Sequence, residues 1–350
     1  MTTETNETPV TQPVRRSLAI PILAVLAVAQ LALIGWLFRP QPSQAAAGAL
    51  LANLDPAQVQ RVTLDWEGKA LTLARADEGW VLPDRGNYPA NTIAVSELLA
   101  KIAQIETSRL VAGNAASHAR LRVDDANPIR RVDLTNAAGE TLTLYVGTSP
   151  NARATHVRAG DSDNVYLTSA LSTGDLRVDT TAWVDASYLS LDPETISQVI
   201  IENAQGSLLL EKDEGGAWSL PNLAAGETMI TGTVEPLVRA LATLGMSDVL
   251  GTEREPAYGL DAPLATVTLN VQATPATTET VALTGPVEIR IGALDAASGS
   301  YAVKASTSPY YVRVTAATLD PFVQAARTDF VAPPATESAT PLRLCVGVVV

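Results

Sequence analysis

A single cysteine, Cys345, stands in 350 residues, so no disulfide can form within the chain. Domains of this size do not need one, and the count leaves the redox compartment open. Histidine is nearly as scarce, with only His118 and His156. There is no His-Glu-x-x-His and no paired cysteine, so no metal spacing is recognisable. Each histidine reads as a lone surface or strand residue, and Cys345 has no nearby histidine to make it a nucleophile. Three Phe, eight Tyr and five Trp are too few for base-stacking platforms. Positive charge is also short: 24 Lys and Arg against 37 Asp and Glu give a net charge of −13. Such a chain repels phosphate backbones, which argues against nucleic acid as a partner. No Gly-x-Ser-x-Gly elbow and no phosphate-cradling glycine loop occurs. The expectation is a protein that is not an enzyme and holds no cofactor.

What is present begins with an uncharged run at residues 18–38, long enough at about 1.5 Å per residue to cross a bilayer core. Pro21 falls in its first turn, and Trp36 and Phe38 lie at the far end, where aromatics favour the interface. Arg15 and Arg16 precede the run and outweigh Arg39 after it, so the amino terminus is expected in the cytoplasm. The run is longer than the usual hydrophobic stretch of a signal peptide, which favours an uncleaved anchor. No cysteine follows it to carry a lipid. The lipid bilayer is then one partner, through residues 18–38, and the bulk of the chain lies outside the cytoplasmic membrane. Residues 1–17 read as a disordered cytoplasmic tail and residues 39–53 as a Pro-, Gln- and Ala-rich spacer.

Beyond the spacer one pattern occurs twice. Gly79-Trp80-Val81-Leu82-Pro83 returns as Ala217-Trp218-Ser219-Leu220-Pro221, the tryptophans 138 residues apart. An amphipathic segment follows each block, over residues 91–107 and 233–244. Its apolar positions are Val95, Leu98, Leu99, Ile102 and Ile105 in the first, and Val234, Leu237, Val238, Leu241 and Leu244 in the second. Both sets follow i, i+3, i+4, i+7, one face of a helix. Short alternating runs separated by turns, such as Glu67-Gly68-Lys69 and Asn136-Ala137-Ala138-Gly139, read as hairpins. The expected fold is therefore α+β: two tandem repeats, residues 54–190 and 191–333, each an antiparallel sheet with a long helix on one face. A period near 140 residues marks a duplicated domain rather than a solenoid. Residues 334–350 form a linker and an apolar tail, too short to span a membrane. The expected repeat core is Trp80, Trp218, Leu98, Leu237, Ile102 and Leu241, with the tryptophans packing on their helices rather than serving as ligand platforms. Asp161-Ser162-Asp163-Asn164 begins like a calcium loop but lacks its glycine and glutamate, so it reads as a hairpin turn, as does Asp213-Glu214-Gly215-Gly216.

Those paired Trp-x-Leu-Pro blocks, the leucine-rich helices after them, and Tyr258-Gly259-Leu260-Asp261-Ala262-Pro263 followed by a strand ending in Ile291-Gly292 resemble the bacterial family of unknown function DUF4340. The first copy departs from the pattern. Leu121-Arg122-Val123-Asp124-Asp125-Ala126-Asn127-Pro128 keeps the proline and lacks Tyr-Gly-Leu. The resemblance implies two tandem copies in a membrane-anchored envelope protein, an accessory or scaffold subunit beside a membrane-protein partner such as an ABC transport system of the gliding-motility type. It brings no catalytic residues. The alternative is an extracytoplasmic module that binds a glycan or peptide.

Overall fold

The computed structural model describes residues 48–272 and 285–332. The expected anchor at residues 18–38, the expected apolar tail at 342–350 and Cys345 lie outside the described residues. Among the described residues no helix is long and apolar enough to cross a membrane. The described fold is α+β: antiparallel sheets with four α-helices.

In the first half the strands are β1 (Val59–Trp66), β2 (Lys69–Ala76), β3 (Gly79–Leu82), β4 (Tyr88–Pro89), β5 (Leu110–Ala112), β6 (Arg130–Asn136), β7 (Thr141–Val146), β8 (Thr155–Ala159) and β9 (Val165–Thr168). Helix α1 (Thr92–Ala103) follows β4, and the single turn α2 (His118–Leu121) follows β5. The second half has β10 (Ile196–Asn203), β11 (Gly206–Lys212), β12 (Trp218–Ser219), β13 (Thr228–Met229), α3 (Val234–Ala242), β14 (Asp248–Gly251), β15 (Ala265–Val271), β16 (Gly285–Asp295), β17 (Ser300–Ala305), β18 (Tyr311–Thr315), α4 (Ala316–Val323) and β19 (Val331–Ala332). The first sheet runs in the order β4-β3-β2-β1-β6-β7-β8-β9-β5, and the second β12-β11-β10-β15-β16-β17-β18-β14. Strands β13 and β19 pair separately.

Local chemistry accounts for the elements. Glu67 (φ 51) and Gly68 (φ 79) form a two-residue turn between β1 and β2, whose positive dihedrals match strand twist. Register then places Val62 opposite Leu73 and Leu64 opposite Leu71, all four buried. Asn91 caps α1, its side chain accepting from the amides of Ile93 and Ala94. Helix α1 buries Val95, Leu98, Leu99 and Ile102, and α3 buries Val234, Val238, Leu241 and Ala242.

Both helices stop short of the expected segments, although the apolar pattern runs on through Ile105 and Leu244. Those two residues are fully buried just beyond the helix ends. Their carbonyls are claimed by other segments: Leu50 N donates to Ile105 O at 2.7 Å, and Leu189 N to Leu244 O at 3.0 Å. The first contact also moves the start of the compact unit. It begins at Ala49, which bridges Glu106, and Leu51 is buried, so the expected spacer ends before residue 53.

The two halves share one apolar core that takes in α1, α3 and the inner faces of both sheets. They meet where β14, the edge of the second sheet, receives the first half's loop at residues 85–88. Arg85 lies 3.9 Å from the Asp248 carboxylate, and Tyr88 packs edge-on against Tyr310 with centroids 4.6 Å apart. Tyr310 donates its hydroxyl to Asn87 O, and Tyr188 donates to Tyr310 O at 2.8 Å.

Candidate functional site

Strand β8 is buried on both faces. Val157 and Ala159 face the shared core, while His156 and Arg158 point to the reverse face, where Leu121, Val123, Tyr145 and Val165 form a smaller cluster. The loop carrying Leu121 and Val123 presses so close that a Cβ on Gly147 would lie 2.1 Å from Leu121 O. The second sheet repeats this arrangement with Tyr258, Leu260 and Ala302, and a Cβ on Gly292 would lie 2.0 Å from Tyr258 O. Arg122 takes a left-handed φ of 57° where Gly259 takes 65°. The missing Tyr-Gly-Leu of the first half is therefore Leu121-Arg122-Val123 in the same backbone shape.

Arg158 is the buried cation of this reverse face. Its Nε donates to Val123 O at 2.8 Å, one terminal nitrogen donates to Ser162 O at 3.2 Å, and the other reaches the Asp125 carboxylate. Its guanidinium also stacks 4.3 Å from the Tyr145 ring. The hydrogen bond from Arg158 holds the Asp125 carboxyl below the usual carboxylate range. At the matching position of β17, Lys304 donates to Ala305 O and to Ser308 O, and burial, then Arg290, pushes its ammonium down. Arg158→Ala should strand two carbonyls in a packed site, a loss of about 2–3 kcal/mol in urea unfolding. Asp125→Ala, at the exposed end of the pair, should change stability by less than about 1 kcal/mol.

Between α2 and the β8–β9 turn opens a cavity of about 600 Å3, lined by His118, Asp124, Asp125, Arg158, Asp161 and Asp163 among others. Four carboxylates and one already engaged guanidinium make it a polar recess that disfavours anions. Among the described residues no group of three or more His, Cys, Asp or Glu could hold a metal ion. The turn at residues 161–164 joins β8 to β9, so the cavity is the space beside a hairpin end.

His156 lies in strand β8, one of the two places the sequence reading allowed, and both histidines are buried rather than at the surface. His118 is buried and donates Nε2–H to Asp163 O at 2.9 Å. His156 is buried and donates Nδ1–H to Thr148 O at 2.7 Å, with Thr148 Oγ1 at 3.0 Å. Backbone carbonyls satisfy them, a partnership no local motif announces.

The repeated tryptophans differ in exposure. Trp80 is buried, with the Arg75 guanidinium 5.2 Å from its ring. Trp218 is only half-buried, with Lys212 Nζ at 5.3 Å, and it borders a groove of about 400 Å3 with Glu194, Glu235 and Val238. Of the expected core residues, Leu98, Ile102 and Leu241 are buried. Leu237 is half-buried, since it lines a shallow recess between α3 and α4 beside Pro321 and Phe330.

The third feature is an edge. Strand β5 pairs with β9 alone, no described strand pairs with its outer side, and Leu110 and Val111 are 59% and 43% exposed. By register, Val249 of β14 is the counterpart of Leu110, and it is fully buried. Sequence reasoning missed this strand, because three residues with a bulge and a partner over fifty residues away leave no alternation to read.

Two antiparallel sheets of matching order, with a reverse-face basic residue in each and an open edge on one, define an α+β protein. The chain belongs to the family described as Domain of unknown function (DUF4340), which matches residues 80–263, more than half of its length. That match is one continuous span from Trp80 across the junction to Pro263, not one span per half. Comparison with curated proteins and with solved structures returned no match.

Proposed function

We propose that this is a single-pass, membrane-anchored extracytoplasmic protein that serves as a non-enzymatic accessory or scaffold subunit of an envelope complex, such as an ABC transport system of the gliding-motility type. Its two halves are tandem copies of one α+β unit. The uncharged run at residues 18–38 behind Arg15 and Arg16 supports the anchor in the cytoplasmic membrane and its orientation. The common strand order, the paired Gly147 and Gly292, and the paired Arg122 and Gly259 support the duplication. The observation that carries the scaffold reading is the uncovered β5 edge, with Leu110 and Val111 exposed where the second half's counterpart is covered by protein. An open edge with apolar side chains is a surface that binds another protein chain.

Two measurements test this reading. A reporter active only outside the cytoplasm, fused after Val331, should be active. Purification in mild detergent should recover membrane-transport subunits with the chain. Activity of a cytoplasmic reporter alone, or a chain recovered without any membrane protein, contradicts it.

The half-buried Trp218 in its groove favours a second reading, a glycan- or peptide-binding module. Under that reading cell-wall fragments should quench tryptophan fluorescence, and Trp218→Ala should abolish the effect.

A further inference from the structure

We propose that copies of this chain associate head to tail, the loop around Leu223 of one copy seating on the β5 edge of the next. The proposal rests on the reading of the two halves as copies of one unit. Within the chain that contact already exists once: the first half's loop at residues 85–88 covers the second half's β14 edge, with Arg85 beside Asp248 and Gly86 close against Thr252. A contact of this kind is heterologous, so it uses two different surfaces and leaves one of each unused. The unused edge is β5, where Leu110 and Val111 are exposed. The unused loop follows Trp218 as residues 85–88 follow Trp80, and it places Leu223 where Arg85 stands, 38% exposed.

The chemistry of the unused pair is compatible. By register Arg109 stands where Asp248 does, and Leu223 replaces Arg85, so the ion pair is absent, no like charges oppose, and the exposed Leu110 beside Arg109 offers Leu223 an apolar neighbour. The contact between copies is weaker than the internal one, since Asn164 stands where Tyr310 supplies its ring. Anchoring in one membrane offsets this by raising the effective concentration of neighbouring copies. Because the contact does not close on itself as a two-fold pair does, it builds rows or rings.

The test is crosslinking of the full chain in membranes with a short bis-maleimide, in a Cys345→Ser background. Copies with Val111→Cys and differently tagged copies with Leu223→Cys should give roughly tenfold more crosslinked dimer when mixed in one membrane than either gives alone. Adding Leu110→Lys to the Val111→Cys copies should remove that dimer. No dimer in the mixture, or dimers of Val111→Cys with itself, overturns the proposal. So does a crosslink within one chain when Cys345 is restored beside Val111→Cys, which would make the carboxy-terminal tail the occupant. A single chain carrying Arg85→Cys and Asp248→Cys reports on the internal contact. If it crosslinks while the mixture does not, head-to-tail association falls and the anchored, duplicated scaffold stands.

Discussion

Gly147→Ala and Gly292→Ala should each leave little folded protein. A methyl group at Gly147 would sit 2.1 Å from Leu121 O, and at Gly292 2.0 Å from Tyr258 O. The obstacle is backbone in both cases, so no side-chain rotation relieves it. The Leu121 carbonyl is also fixed, because it accepts from Thr148 N at 2.9 Å. Accommodating the methyl means prising the loop off the sheet, which exposes Leu121 and Val123, or Tyr258 and Leu260. Losing that cluster and its hydrogen bonds is worth roughly 4 kcal/mol or more, a large share of the roughly 5–15 kcal/mol that holds a native protein together. Gly174→Ala is the control. Its nearest neighbour would be Ser172 Oγ at an ordinary 3.6 Å, and its stability should change by about half a kcal/mol or less. Urea midpoints of the three variants check all of this.

Core truncation is the second large effect. Ile102 in α1 and Leu241 in α3 are fully buried in the same apolar cluster. Ile102→Ala and Leu241→Ala should each cost about 2–5 kcal/mol, the lost burial plus the cavity left behind. Leu237→Ala should cost less, about 1–2 kcal/mol, because that side chain is half-buried and borders an open recess into which neighbours can relax. Lys101→Ala and Arg239→Ala, on outer faces of the same helices, should stay within about 1 kcal/mol. Lys101 pairs with Asp175 and Arg239 with Glu235 as surface ion pairs.

The parts of this fold that announced themselves in the sequence are those set by local chemistry. Glu67-Gly68 marks a tight turn, Asn91 a helix cap, and the spaced leucines a buried helix face. Ile105 and Leu244 misled, because their periodicity belongs to the core and outlasts the helix that displays it. Arg122 hid its role completely. A left-handed residue is usually glycine, and only the backbone itself, at φ 57°, shows that an arginine occupies that conformation here. His118 and His156 gave no sign of burial, since the carbonyls that satisfy them come from turns elsewhere in the chain. The difference between Trp80 and Trp218 was likewise not local. The block around each is nearly the same, but α1 is capped at Asn91 directly after β4, whereas α3 follows the longer detour through β13 and leaves Trp218 beside a groove. The open β5 edge could not be read either, because its meaning lies in the covered β14 edge of the other half.

Those contrasts between halves depend on the claim that the two sheets form one structure through a shared core rather than two independent beads. Urea unfolding of the full chain in mild detergent tests it most directly, followed with one probe in each half: a fluorophore on Glu97→Cys in α1 and another on Glu235→Cys in α3, both in the Cys345→Ser background. The shared core predicts that the two probes report one coincident transition, and that Ile102→Ala shifts both by the same amount. Two separated transitions, with Ile102→Ala moving only the first-half probe, would contradict it.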